Sequence, residues 1–413
     1  MESNNSYQED SDDADSCASL TSSIPIVNKL FNVHYKVGKG AFSSVFLATL
    51  KSSDGRKKFA LKQLIPTCHP DRIRRELQYL QQIGGKDYIV ELELCLRHRS
   101  SVVFVMPYMR HDRFAVSLQF TFKSLFCKIK NTHSNNYDKE YVQDMTVDET
   151  KDYMRALLIA LKRVHKFHII HRDVKPSNFL YDRKNKRYLL VDFGLAQEYY
   201  VEKNMRTSGE SIEAHGTKRK RSNENNVSLQ SDAVKRNVNN KCNCFGKPKV
   251  CVMCLKEPQQ QAPRAGTPGF RAPEVLLKYV MQTSAIDIWA CGVIMLCILS
   301  GSQSFFRSPD DCTALAEITT IFGSKQVQKC AQKLGKKVIF SENLPGVDIK
   351  SLCIKLKQRN KSMIYDIQNS IHKVPPDIEY PKEAYHLLMK LLDLDFRTRI
   401  TAEQALAHPF LNL

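Results

Sequence analysis

The sequence contains little tryptophan, no long apolar run and fewer acidic than basic residues. One Trp occurs among 413 residues, and 43 Asp and Glu stand against 62 Lys and Arg, giving a formal net charge of +19. No stretch of about 18 apolar residues is present, so we expect no membrane span. The opening residues, MESNNSYQEDSDDADS, lack an apolar signal core, so we expect no secretion. A hydrophobic content of 42% nevertheless excludes a wholly disordered chain.

Charge and cysteine content narrow the classes of function further. Thirteen Cys in a long chain that we expect not to be secreted favour reduced thiols or metal ligands over a disulfide framework. Residues 1–26 hold six acidic and no basic residues, whereas residues 201–261 hold 12 basic and six acidic ones. Most of the basic excess therefore lies in the remaining chain. It favours acidic substrates or partners, and direct nucleic-acid binding is the weaker expectation because no aromatic-basic pattern accompanies it.

The hydrophobic pattern predicts an α+β protein with two lobes. Residues 1–26 are polar and acidic, and we predict a disordered tail. Residues 27–110 carry short β-rich runs and one helical pattern, PDRIRRELQYLQQI, which predicts a small sheet with a long helix. Residues 111–413 are dominated by helical patterns, among them the strongly apolar AIDIWACGVIMLCILSG. We therefore expect a small β-rich lobe followed by a larger helical lobe.

Two segments interrupt this pattern. Residues 201–261 are rich in Asn, Lys and Ser and are typical of a loop or of disorder. Residues 115–139 fit neither the helical nor the strand period, and MPYMRHDRF would join EYVQDMTVDE directly without them. We interpret residues 115–139 as an atypical insert or a gene-model artefact, and a transcript that lacks them would support the second interpretation.

The first candidate site is a glycine-rich hairpin followed by a lysine in an apolar strand. Glycines in the run 38–45, GKGAFSSV, allow a backbone to approach phosphates closely, although a simple turn is the commoner meaning of such a run. Lys62, in the predicted strand KFALKQL at 58–64, is costly to bury without a partner, and Glu76 on the following helix is a candidate. Taken alone, the two residues fit an exposed strand lysine and a surface helix glutamate better than a functional pair.

Three later motifs make a functional pair the better interpretation. HRDVKPSN at 171–178, DFG at 192–194 and GTPGFRAPE at 266–274 follow in this order. Together with the glycine-rich run and Lys62, they form the signature set of protein kinases. The chain resembles that family over about residues 27–411, with the two interruptions above. The resemblance implies a two-lobed fold, ATP as cofactor and phosphoryl transfer to a protein hydroxyl.

The resemblance also assigns the phosphate and metal ligands. Lys62 would contact the α- and β-phosphates and be held by Glu76, while Asn178 and Asp192 would bind Mg²⁺. Asp173 would accept the proton of the attacking hydroxyl. The remaining nucleotide contacts implied by the family are Gly38, Lys39, Gly40, Val45, Ala60, Met106 and Met109.

Two further residues complete the implied catalytic group. Lys175, two positions after Asp173, matches the Ser/Thr form of the family and would touch the γ-phosphate, and Thr267 would brace both side chains. The resemblance also implies a structural Glu274–Arg399 pair and a structural Asp287. One departure from the family pattern is Ser43, which stands where the loop's third glycine is expected.

A cysteine cluster lies inside the segment between the second and third motifs. Cys242, Cys244, Cys251 and Cys254 have the spacing C-x-C-x₆-C-x₂-C, and four thiolates can close a tetrahedral Zn²⁺ site. We predict a structural zinc ion there, against the alternative of reduced thiols in a loop.

The combination of motifs and the Cys-rich insert resembles the cell-division-cycle-seven (Dbf-dependent) serine/threonine kinases. That resemblance implies a Dbf-type regulatory subunit, acidic tails of the minichromosome maintenance helicase as substrates, and a role in starting DNA replication. It also implies a nuclear location, which the basic run KRKR at 218–221 would suit as an import signal.

Two arginines fit a preference for acidic substrates. Arg264 and Arg271 flank Thr267, and Arg pairs bidentately with carboxylate or phosphate. We predict that they select Ser or Thr followed by Asp, Glu or phosphoserine, against the alternative that Arg271 only packs locally. Another acidophilic, casein-kinase-like enzyme is the alternative within the kinases, and a non-catalytic scaffold or a nucleic-acid-binding protein are the alternatives outside them.

Overall fold

The computed structural model describes residues 15–40, 42–52, 56–65, 68–114, 141–199, 263–302, 304–368 and 378–412, with the backbone alone for 361–368. The atypical insert at 115–139 and the cysteine cluster at 242–254 lie outside the described residues. The predictions made for these two segments therefore stay predictions.

The smaller lobe is built on a five-stranded antiparallel sheet in the order β1-β2-β3-β5-β4. Its strands are β1 (Phe31–Lys39), β2 (Ser43–Leu50), β3 (Lys58–Leu64), β4 (Leu94–His98) and β5 (Ser101–Pro107). β1 and β2 pair as far as Lys39 and Ser44, so the glycine-rich run is the end of a hairpin, as predicted. β3 lies between β2 and β5, which places Lys62 in the centre of the sheet, opposite Val45 and Phe104.

One long helix packs beside this sheet. The helix α3 (Pro70–Ile83) matches the predicted helical pattern, because its buried residues recur on one face, at Glu76, Tyr79, Leu80 and Ile83. Its start is set by His69, whose Nδ1 accepts the backbone N–H of Asp71, and by Pro70 in the first turn. A carboxylate on the otherwise apolar buried face of this helix implies a partner inside the protein.

The prediction of a disordered tail is wrong for residues 15–26. This segment forms the helix α1 (15–23) and most of α2 (Pro25–Leu30). Leu20, Ile24 and Val27 are fully buried and join Phe31 and Phe46 in a separate apolar cluster on the sheet. Their spacing of four and three residues is that of one helical face, which the neighbouring acidic residues obscured in the sequence.

The larger lobe is helical. Its helices are α4 (Val147–Lys166), α5 (Pro273–Leu276), α6 (Ala285–Ser300), α7 (Asp311–Phe322), α8 (Ser324–Lys333), α9 (Ile349–Gln368), α10 (Lys382–Leu391), α11 (Ala402–Leu406) and α12 (Pro409–Asn412). Every residue of α6 from Ile286 to Ser300 is buried, so this helix forms the centre of the lobe, as its apolar sequence predicted. Within the described ranges, no helix has the length and apolarity needed to cross a bilayer.

Short strands and turns connect α4 to the cleft between the lobes. They are β6 (Ile169–Ile170), a 3₁₀ turn (Pro176–Asn178), β7 (Phe179–Asp182), β8 (Arg187–Leu190), a 3₁₀ turn (Phe193–Leu195) and β9 (Gln197–Glu198). The β7–β8 hairpin separates the motif at 171–178 from the motif at 192–194, and the antiparallel pairing brings both to one end. The fold thereby places the two motifs on the same side of the cleft.

Candidate active site

Lys62 is the centre of an ionic group that links the sheet, α3 and the loop after β8. Its Nζ donates to Glu76 Oε1 at 2.5 Å and to Asp192 Oδ1 at 2.8 Å. The side chains of Lys62 and Glu76 are only 7% and 3% exposed. Two carboxylates therefore compensate the cost of burying this ammonium group, which fixes α3 relative to β3.

The pKa values in this group follow from burial and charge. Burial alone would lower the pKa of Lys62, but the charges of Glu76 and Asp192 outweigh it and raise that pKa. Burial would raise the pKa of Asp192, yet Lys62 lowers it to about 2. Both groups are therefore charged near neutral pH, which suits a site that receives phosphate oxygens and a divalent cation.

Asp173 is held by three neighbours. Its Oδ1 accepts from the backbone N–H of Thr267 at 3.0 Å and from Thr267 Oγ1 at 2.7 Å. Its Oδ2 accepts from Asn178 Nδ2 at 2.9 Å and lies 2.9 Å from Lys175 Nζ. Lys175 Nζ also donates to Thr267 Oγ1 at 2.7 Å. The structure thus brings together the four residues that the motifs singled out from two distant segments.

Gly266 allows the segment around Thr267 to approach the loop of Asp173. Its φ is +95°, and an added Cβ would lie 2.6 Å from the carbonyl oxygen of Arg172. A side chain at this position would therefore clash with rigid backbone. Glycine is required here for Thr267 to reach Asp173.

Buried contacts hold in place the loop that carries the motif at 171–178. Asp287 on α6 accepts the backbone N–H groups of His171 and Arg172, both at 2.8 Å. Its Oδ2 also lies 2.9 Å from His165 Nε2 on α4, a contact that the motifs did not predict. Phe193 packs edge-on against His171, with ring centroids 4.8 Å apart. The loop at 171–178 is therefore anchored to the core of the larger lobe.

A cleft of about 730 Å³ separates the lobes, which is large enough for a nucleotide. The residues predicted to contact the nucleotide all line it, namely Gly38, Lys39, Gly40, Val45, Ala60, Lys62, Glu76, Met106, Met109, Asn178 and Asp192. Met106 is paired with Ala60 across β3 and β5 and is 8% exposed. The deep end of the cleft is therefore apolar, as a purine ring requires, while its opposite wall is charged.

Asp192 and Asn178 fit the Mg²⁺ that accompanies ATP in this fold. The contacts of Asp192 with Lys62 and with the Gly194 N–H both use Oδ1, which leaves Oδ2 as a ligand. Asn178 uses Nδ2 towards Asp173, which leaves its Oδ1. Carboxylate and amide oxygens are the hard ligands that Mg²⁺ prefers.

Two residues at the cleft were missed in the sequence. Phe42, at the tip of the glycine-rich hairpin, lies under the guanidinium of Arg72, with 3.7 Å between the guanidinium carbon and the ring centroid. Arg72 precedes Glu76 by one helical turn on α3, and its Nη2 lies 3.2 Å from the Cβ position of Gly194. The helical spacing to Glu76 was the available signal.

The arginines predicted to read the substrate share one carboxylate. Arg264 Nε lies 2.6 Å from Asp311 Oδ2, and Arg271 Nη1 lies 2.5 Å from Asp311 Oδ1. Arg271 also donates from Nε and Nη2 to the carbonyl of Gly266, at 3.0 and 2.6 Å. Arg271 therefore makes the local contacts that the alternative expected, and its role towards a substrate stays a prediction. The structure adds Asp311, which no sequence motif indicated.

Fold and site together define a protein kinase. The site provides what phosphoryl transfer needs. It consists of a lysine–glutamate pair in the small lobe, an aspartate–asparagine–lysine group in the large lobe and a nucleotide-sized cleft between them. In agreement, the protein kinase domain model matches residues 31–218 and 251–411.

The similar proteins identify the family. The chain is 33% identical to the cell division cycle 7-related protein kinase of Mus musculus, over 95% of this chain and 92% of that protein. It is 32% identical to the protein of the same name in Homo sapiens, over 95% and 91%. It is 30% identical to the cell cycle protein kinase spo4 of Schizosaccharomyces pombe, over 98% and 90%. The chain belongs to the cell division cycle 7 family of serine/threonine protein kinases. The predictions of fold, enzyme class and family are thereby confirmed.

Proposed function

We propose that this kinase phosphorylates Ser or Thr followed by an acidic or phosphorylated residue, on the acidic tails of the minichromosome maintenance helicase, and so starts DNA replication in the nucleus. A Dbf-type regulatory subunit is proposed as its activator. The observation that carries the substrate preference is the position of Arg264 and Arg271, which flank Thr267, itself bonded to the catalytic Asp173. The residue after the acceptor would lie beside these guanidinium groups.

The side chains around Asp173 suit transfer to a hydroxyl. Bound MgATP supplies the phosphoryl group. Asp173 would orient the acceptor hydroxyl and take its proton, because its carboxylate is fixed by Thr267 and Asn178. Lys175, 2.9 Å from Asp173, would stabilise charge on the transferring group, and Lys62 would hold the phosphates from the opposite wall.

Kinetics on matched peptides test this proposal. The chain, co-purified with a Dbf-type subunit, is assayed on helicase-tail peptides with Asp, phosphoserine or Ala after the acceptor. We expect the acidic peptides to be preferred and Arg264→Ala to abolish the preference. Asp173→Asn is the inactive control. Equal rates on all three peptides would disprove the acidic preference, and no activity with the subunit present would disprove the proposed activation.

The cysteine cluster supports a further part of the proposal. We propose that Cys242, Cys244, Cys251 and Cys254 hold one structural Zn²⁺, since their spacing supplies four thiolates from a short segment. Metal analysis of the purified chain should give about one zinc per molecule. The paired substitutions Cys251→Ser and Cys254→Ser should remove it, and a zinc content unchanged by them would refute the site.

The basic run 218–221 supports the proposed nuclear location. Four consecutive Lys and Arg residues in a polar segment are typical of import signals. Replacement of all four by Ala should shift a fluorescently tagged chain towards the cytoplasm. An unchanged distribution would show that the run is not the signal.

A further inference from the structure

We propose that Asp311 is a specificity-determining residue, an internal carboxylate that pairs with Arg264 and Arg271 and thereby restrains the preference for an acidic residue after the acceptor. The inference rests on the proposed function, since it concerns the same arginines. It adds a residue that no sequence motif indicates.

Asp311 lies between the two arginines at the start of α7. One carboxylate oxygen contacts Arg271 Nη1 at 2.5 Å and the other contacts Arg264 Nε at 2.6 Å. The Asp311 side chain is 13% exposed, so water screens these pairs only in part. Asp310, which caps α7 through the N–H groups of Cys312 and Thr313, adds a second negative charge nearby.

The two arginines are used differently. Arg271 is 12% exposed and all three of its guanidinium nitrogens bind the protein, two at the Gly266 carbonyl and one at Asp311. Arg264 is 60% exposed, and its contact with Asp311 uses Nε. Arg264 therefore presents the edge formed by Nη1 and Nη2 to a substrate, while Arg271 positions Gly266 beside the catalytic residues.

Asp311 lowers the affinity of this site for anions in two ways. Its charge offsets one of the two arginine charges, and it occupies the Nε of Arg264, which leaves an acidic residue the edge formed by Nη1 and Nη2. An acidic substrate residue must therefore bind beside a like charge. A neutral residue after the acceptor does not experience this repulsion, so Asp311 acts on the ratio of acidic to neutral substrates.

The substitution Asp311→Asn tests the proposal, because it removes the charge and keeps the shape. The complex with the regulatory subunit is assayed on the peptides with Asp, phosphoserine or Ala after the acceptor. We expect the ratio of kcat/KM for acidic over Ala peptides to rise about three- to ten-fold, because the substitution removes one partly screened negative charge beside the arginines. The rate on the Ala peptide is measured as the reference for this ratio.

Two matched variants control for indirect effects. Asp311→Glu keeps the charge, so the ratio should not rise. Asp310→Asn removes a charge one residue away and keeps the helix cap, because Asn caps as well as Asp, so its effect should be smaller. Equilibrium binding of the same peptides is also measured in the presence of a non-hydrolysable ATP analogue. The thermal unfolding temperature of each variant is measured as well.

The possible results separate this inference from the proposed function. A wild-type complex without acidic preference overturns both. A wild-type preference that Asp311→Asn leaves unchanged or lowers, in a variant that unfolds at the wild-type temperature, overturns the inference alone. The second result would show that Asp311 only orients the arginines.

Discussion

Arg399 forms a bidentate salt bridge with Glu274 inside the larger lobe. Nη1 donates to Oε1 at 2.7 Å and Nη2 to Oε2 at 3.0 Å, and the side chains are 0% and 1% exposed. Arg399→Met would leave the Glu274 carboxylate buried without its counter-charge. We expect this variant to lose about 3–5 kcal/mol of unfolding free energy, measured by chemical denaturation.

An exposed ion pair on the same lobe supplies the control. Lys162 Nζ lies 2.9 Å from Glu403 Oε1, but the side chains are 47% and 75% exposed. Lys162→Met should therefore cost less than about 1 kcal/mol. Similar losses for both variants would show that burial is not what makes the Arg399–Glu274 pair important.

Phe42 and Arg72 couple the glycine-rich hairpin to α3. The guanidinium of Arg72 lies 3.7 Å from the ring centroid of Phe42, and Glu76 follows one helical turn later. Phe42→Leu removes the cation–π interaction, which is worth about 0.5–1 kcal/mol at such sites. We expect KM for ATP to rise about two- to five-fold with kcat nearly unchanged, and Phe42→Tyr to retain the wild-type value.

A double-mutant cycle tests whether the coupling is direct. Arg72→Gln should raise KM for ATP on its own and add little to Phe42→Leu, because both remove the same contact. Arg74→Gln, on the exposed side of α3, is the matched control, since Arg74 is 76% exposed and pairs only with Asp71 in the described contacts. Additive effects of the first two substitutions would contradict a direct interaction.

The helices that precede the sheet stabilise the smaller lobe. Ile24 is fully buried against the sheet, whereas Ile26, two residues on, is 38% exposed. Ile24→Ala should cost about 2–5 kcal/mol of unfolding free energy, because it leaves a cavity, and Ile26→Ala should cost clearly less. Denaturation curves of both variants check this, and equal costs would mean that α1 and α2 do not pack as described.

The sequence predicted the catalytic group because each of its parts is local. Asp173, Lys175 and Asn178 lie within six positions, and the strand before Asp192 is apolar enough to be recognised alone. The long helix α3 was predicted for the same reason, since its buried face repeats at 3.6 residues. The cost of burying Lys62 made Glu76 a candidate partner, and the family resemblance then favoured that pair over exposed surface residues.

Contacts between distant segments were not predictable in this way. Asp311 reaches Arg264 and Arg271 across a stretch in which no periodic pattern links them, so only the folded chain brings them together. The N-terminal helices were missed for another reason. Composition over residues 1–26 is dominated by polar and acidic side chains, and the buried positions Leu20 and Ile24 are too few to alter that average.

His408 makes the stability of the larger lobe depend on pH. It is 7% exposed, its Nδ1 accepts the backbone N–H of Phe410, and its Nε2 lies 2.7 Å from His386 Nδ1. Burial and the neighbouring His386 lower the pKa of His408 below its ordinary value. The folded protein therefore holds this imidazole neutral at pH values where the unfolded chain protonates it.

Protonation of His408 in the unfolded chain makes the protein less stable at acidic pH. Because the unfolded chain binds the proton more tightly, unfolding free energy falls as the pH drops below about 6.5, by at most about 1.4 kcal/mol per pH unit. His408→Asn keeps an acceptor for the Phe410 N–H and removes the titrating group, so unfolding free energy should fall less between pH 7.5 and 5.5. His98→Asn, at an exposed histidine on β4, should keep the wild-type slope. A wild-type slope in His408→Asn as well would show that other groups cause the acid sensitivity.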